Sequence, residues 1–94
     1  MSKYRQAART DDNQKELVRQ LRQCGVSVET RHDDILCGYH GRTYWLELKN
    51  PNRPPSARKL TKAEQLRADN WRGQYDVVTT LDEALAVVFE RTVP

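Results

Sequence analysis

Apolar and polar residues follow two different rhythms along this chain, and each change of rhythm marks an element. Leu17, Val18 and Leu21 recur at the spacing of one helix face. Their helix is predicted to start at Asp11 or Asp12, whose carboxylates suit free backbone N–H groups. It is predicted to end at Cys24-Gly25, where glycine accepts the left-handed conformation. From Val26 the period shortens to two. Val26, Val28 and Thr30 alternate with polar neighbours, and Ile35-Leu36-Cys37 forms a short apolar run. Tyr39-His40-Gly41-Arg42 reads as a turn with Gly41 at positive φ. Thr43 to Lys49 is then a strand with two unlike sides. Tyr44, Leu46 and Leu48 point one way; Thr43, Trp45, Glu47 and Lys49 point the other.

The second half begins with a loop, Asn50 to Lys59, carrying Pro51, Pro54 and Pro55. Thr61-Lys62-Ala63-Glu64 has the pattern of a capping box and opens a helix that runs to about Trp71, short of Gly73. Tyr75 to Thr79 reads as a fourth strand. A second capping box, Thr80-Leu81-Asp82-Glu83, opens a helix with Leu81, Ala84, Leu85, Val88 and Phe89 on one face. The order is αβββαβα. An antiparallel meander followed by a crossover helix and a further strand makes an α/β fold, a mixed central sheet flanked by helices. With 94 residues one domain is expected, spanning 10–92 behind a basic flexible tail at 1–9 that carries Lys3, Arg5 and Arg9.

Composition narrows the class. Leu, Val, Ile and Phe make up about a fifth of the chain, so the core is thin, and self-association as a homodimer is expected to thicken it. No apolar run approaches a membrane span, and no apolar stretch follows Met1, so a cytoplasmic protein without signal peptide or membrane contact is expected. Cys24 and Cys37 form no C-x-x-C pair and lack zinc-finger spacing with His32 or His40, which points to free thiols. The net charge is +3. From Lys49 to Arg72, however, seven basic side chains face two acidic ones, a local excess larger than that of the whole chain. Lys and Arg in such a segment supply phosphate affinity without base specificity.

The candidate chemistry sits where that segment starts. Glu47 and Lys49 are two apart on a strand and share a face. Counting outward from a turn at His40-Gly41 brings Asp34, at the start of the preceding strand, beside Glu47. Two carboxylates and a lysine suit a hard cation, Mg²⁺ or Mn²⁺, which takes oxygen ligands and is commonly completed by substrate phosphate. The backbone carbonyl of Leu48 is a further candidate ligand, and Lys49 is placed to position water or stabilise charge on phosphate. A surface ion pair between Glu47 and Lys49 is the bland alternative.

Asp34, followed by apolar residues and then by Glu47-Leu48-Lys49, resembles the D…E-x-K signature of the PD-(D/E)XK nuclease superfamily. Several segments are similar to small phage-type VRR-NUC domain proteins: Ala8 to Asn13, Leu21 to Gly25, Gly38 to Tyr44, Pro54 to Thr61, Trp71-Arg72-Gly73 and Asp82 to Leu85. The resemblance covers roughly residues 7–90. It implies a restriction-endonuclease-like core and a metal-dependent endonuclease acting on branched or junction DNA, phage- or prophage-encoded. It also implies an acidic contributor on the first helix, for which Glu16 is the candidate. Where the family often has Gly-x-Pro before the metal aspartate, this chain has Arg31-His32-Asp33, so Asp33 competes with Asp34. DNA contacts are expected from Arg9, Arg53, Arg58, Lys59 and Lys62. The rival reading is a DNA-binding module or interaction subunit that keeps the fold without catalysis.

Overall fold

A computed structural model describes residues 2–31, 34–50, 52 and 59–90, with the side chains of the first helix described from Asn13 onward. The elements are α1 (Ser2–Gln23), β1 (Ser27–Thr30), β2 (Asp34–Tyr39), β3 (Arg42–Leu48), α2 (Lys62–Asn70), β4 (Asp76–Val78) and α3 (Leu81–Val88). The predicted order is found. The sheet runs β1-β2-β3-β4, with antiparallel β1/β2 and β2/β3 pairs and a parallel β3/β4 pair. Parallel neighbours need a crossover connection, and α2 lies within it.

Local chemistry sets the boundaries. α1 ends in a Schellman motif: the Gly25 N–H donates to the Arg22 carbonyl and the Val26 N–H to the Leu21 carbonyl, both at 3.1 Å, with Gly25 at φ 87°. Val26 and Leu21 are both buried, the apolar contact that accompanies this motif. The β2–β3 hairpin closes through His40 and Gly41, at φ 51° and 79°. Positive φ at both central residues is the type I′ signature, which matches the strand twist and locks the register.

Two expectations change. The backbone is helical from Ser2, upstream of the expected start at Asp11 or Asp12 and through the segment read as a flexible tail. No Pro or Gly interrupts 2–23, and Ala7-Ala8 favours helix, so the aspartates lie within the helix instead of capping it. The second capping box is also not reciprocal. Thr80 accepts from the Glu83 N–H at 3.1 Å, but Glu83 Oε1 reaches one residue further back, to the Thr79 N–H and hydroxyl.

The two faces of the sheet differ sharply. One carries Val28, Ile35, Cys37, Tyr44, Leu46, Leu48 and Val78, packed under α1 through Leu17, Val18 and Leu21 and under α3 through Ala84, Leu85 and Val88. Cys37, fully enclosed there, has its thiol pushed up to about 11 by burial. Strand alternation turns Asp34, Leu36, Trp45 and Glu47 to the other face, beside α2. No described helix is long and apolar enough to cross a membrane.

Candidate active site

The hairpin register pairs Asp34 directly with Glu47, as the count from the turn predicts. Cross-strand partners lie about 5 Å apart at Cβ and on one side of the sheet. Asp34 is buried; its Oδ2 accepts from Trp45 Nε1 at 2.7 Å and lies 3.6 Å from Arg31 Nε. Glu47 is wholly enclosed although it sits on the polar face. Its Oε1 accepts from the Tyr75 hydroxyl at 2.9 Å and stands 3.6 Å from the Arg67 guanidinium. Lys49 continues the strand: its N–H donates to the Val78 carbonyl, and its Nζ reaches Glu64 Oε1 at 2.8 Å.

Glu64 is the residue that sequence reasoning underused. As the third residue of α2 it completes the capping box with Thr61, accepting the Thr61 N–H at 2.8 Å while its own N–H bonds the Thr61 hydroxyl. The same carboxylate holds Lys49 and neighbours Glu47. Burial pushes its pKa upward. Its bonds from Lys49 and the Thr61 N–H outweigh that and take it down to about 2. The capping pattern had already explained an acid at this position, so nothing in the sequence called for a second role.

Arg67, counted only as part of a basic stretch, turns inward over the rings of Trp45 and Tyr75, 5.0 and 5.8 Å from their centroids. Tyr75, expected only as the start of a strand, has its phenol pushed up to about 12, first by burial and then by its bond to Glu47. Trp45 proves to be a wall of the site, edge-on to Trp71 and Tyr75. Gln74 holds this corner shut: its amide accepts the Trp45 N–H at 2.6 Å and donates to the Trp45 carbonyl at 2.8 Å, extending the β3/β4 pairing with a side chain.

The other expected contributors separate. Glu16 is half exposed on α1 and paired with Arg19. Leu17, Val18 and Leu21 dock α1 on the apolar face, so this helix covers the side of the sheet opposite Asp34 and Glu47. Lys59 and Lys62 are exposed at the entry to α2. Gln65, which follows Glu64 on α2 and could have approached the site, faces water and bonds Asp69. Leu48 is buried, its main chain between Glu47 and Lys49. His32, Asp33, Arg53, Arg58 and the side chain of Arg9 lie outside the described residues. A groove of about 660 Å³ runs along α1 and Thr30, lined by Gln14, Lys15, Val18, Arg19, Arg22 and Gln23, away from the carboxylates.

Among the described residues no three His, Cys, Asp or Glu side chains are gathered as a ready metal cage. Mg²⁺ needs none, since one or two carboxylates with substrate oxygens suffice. Asp34 and Glu47 offer such a pair, and the donor set is all oxygen. The residues therefore fit a divalent cation. No family model matches the chain, and neither curated proteins nor solved structures give a match.

Proposed function

We propose that this protein is a divalent-metal-dependent DNA endonuclease of the PD-(D/E)XK type, close in character to VRR-NUC domains. The observation that carries the reading is the face-to-face pairing of buried Asp34 and Glu47 with Lys49 two residues on. A stable core gains little from buried carboxylates, whereas a site for a hard cation is built from them. Asp34 and Glu47, with the Leu48 carbonyl, would hold Mg²⁺ or Mn²⁺. When bound, the ion supplies Lewis-acid polarisation of the phosphate and a more acidic water.

The remaining work belongs to side chains of this chain. Lys49 orients the attacking water and offsets charge gathering on the phosphate oxygens. In the resting arrangement Glu64 holds the Lys49 ammonium close to the carboxylate pair. Tyr75 fixes one oxygen of Glu47, and Trp45 fixes one oxygen of Asp34, so both keep their rotamers. Arg67 adds a second cation beside the site. Water attacks phosphorus, the bond to the leaving sugar oxygen breaks, and a proton returns to that oxygen. A preference for branched DNA and a paired assembly with two sites belong to the same proposal.

Cleavage of branched and linear DNA with Mg²⁺ or Mn²⁺, against an EDTA control, is the direct test. Activity should be abolished by EDTA and fall at least about a hundredfold in Glu47→Gln, because a neutral amide is a poor ligand for a hard cation. Calorimetry should show Mn²⁺ binding lost in the same variant. Unchanged Mn²⁺ affinity in Glu47→Gln, or cleavage that survives EDTA, would overturn the reading.

A further inference from the structure

Trp71 is 53 % exposed, yet it is not a loose surface residue. It follows α2 as its C-cap, with its N–H donating to the Arg67 carbonyl at 2.8 Å. Its ring meets Trp45 at right angles, centroids 5.1 Å apart. On the other side lies Gly73, where any Cβ would stand 2.8 Å from the indole nitrogen. A side chain at 73 would push the ring away, so the glycine keeps the indole where it is. A single exposed aromatic ring is ordinary; one wedged between a second tryptophan and a glycine, beside an arginine, is a held surface.

The surroundings define what the ring would meet. Trp45 lies next to it, Tyr75 packs on Trp45, and Arg67 stands over the rings of Trp45 and Tyr75. Arg72, exposed, follows Trp71 directly. Of the nearby acids Glu64 is paired with Lys49, Glu47 stands 3.6 Å from Arg67, Asp34 accepts from Trp45, and Asp69 and Asp76 accept from the amides of Gln65 and Gln74. An aromatic face bordered by cations suits a flat apolar ring attached to an anionic chain, which describes an unpaired nucleobase. A paired base keeps both its faces in the stack and offers neither to a side chain.

We infer that Trp71, backed by Trp45 and steered by Arg67, is a stacking platform for an unpaired base beside the scissile phosphate, so that the site selects DNA with single-stranded character. This rests on the nuclease reading and deepens it. The selection would come from one base having to leave its stack to reach Trp71, least costly at a flap, a gap or a junction centre.

Binding of the full chain to an oligothymidine single strand and to a duplex of equal length, both in EDTA, separates this from the cleavage reading. The single strand should quench tryptophan fluorescence more than the duplex does. Trp71→Ala should weaken single-strand binding roughly 10- to 100-fold, with duplex binding changed less than about threefold, and Trp71→Phe should retain most of the affinity. Equal loss for both DNAs, or none for either, would overturn the platform while leaving the Mn²⁺ and cleavage tests standing. Should Trp71→Ala unfold by circular dichroism, Trp71→Phe and the quenching of the parent decide, and absent quenching overturns the inference. Loss of self-association in Trp71→Ala by sedimentation, with DNA affinity retained, would assign the ring to a second copy and also overturn it.

Discussion

The two faces of this four-stranded sheet are built on different physics, although both hold buried residues. The face under α1 and α3 is apolar and tolerant in principle, since its residues are specified by size and period more than by identity. The face under α2 is held by individual polar pairs: Lys49 with Glu64, Tyr75 and Arg67 with Glu47, and Trp45 with Asp34. The only buried residue of α2 is Glu64, and its Leu66 is exposed. The helix is thus docked largely through the candidate site itself. Apolar burial supplies the stability of the molecule, and the polar face draws on it to keep carboxylates out of water.

Leu46 and Glu47 test the contrast most directly, because they are consecutive, both fully buried, and turned to opposite faces. Leu46→Ala leaves a cavity at the centre of the core and should cost about 2–5 kcal/mol in chemical denaturation. Glu47→Gln keeps the shape, and its amide can still accept from Tyr75, so the midpoint should stay within about 1 kcal/mol of the parent or rise. If Glu47→Gln destabilises as much as Leu46→Ala, the polar face is part of the structural core and the contrast fails.

The same contrast explains what the sequence made legible. The pairing of Asp34 with Glu47 followed from a two-residue turn at His40-Gly41, whose geometry leaves one register. The apolar face and the element order followed from periodicity. On the polar face periodicity says nothing, because α2 has no apolar stripe to orient it. Arg67 therefore reads as one more member of a basic segment when it is turned inward, and Glu64 reads as a cap when it also holds Lys49. Glu16 shows the reverse case: a residue carried over by resemblance, on a helix whose apolar stripe docks it against the far side of the sheet. The helix start was missed because Asp11 and Asp12 suit a cap and interior helix alike once tertiary contacts decide.

Acid titration should sharpen the comparison with a smaller effect. Glu64 is faced by Lys49 and Glu47 from β3 and its extension, with Arg67 one turn on along α2 and Tyr75 beyond Glu47. Its pKa is about 2 in the folded chain against an ordinary 4.5. A lowered folded pKa means the contribution of the Glu64 charge is complete above 4.5 and fades as pH falls toward 2. In metal-free protein, tryptophan fluorescence reporting the Trp45–Trp71 contact should therefore change across that range, before far-UV circular dichroism reports loss of the apolar half. Glu64→Gln should remove most of this early change. Coincident transitions by both probes, in parent and variant alike, would show that α2 and the core unfold as one body.

The smallest effect compares one chemical change at two helix starts. Thr61 and Thr80 are both N-caps, each accepting the N–H of the residue three further on, at 3.2 and 3.1 Å. Truncation of either to alanine removes one cap bond and should cost about 1 kcal/mol. What differs is what that energy holds. α3 is anchored by Ala84, Leu85 and Val88 in the apolar core, so it opens only with the whole molecule. Thr80→Ala should lower the global melting temperature by a few degrees, about 4–8 °C for a domain of this size. α2 has only polar anchors, and in Thr61→Ala the loss should appear as local opening. Hydrogen exchange of α2 amides should then speed up roughly fivefold, while the melting temperature moves less than in Thr80→Ala. A Thr61→Ala variant that melts as early as Thr80→Ala, with α2 exchange no faster than the rest, would mean that the polar face is as firmly coupled to the fold as the apolar one.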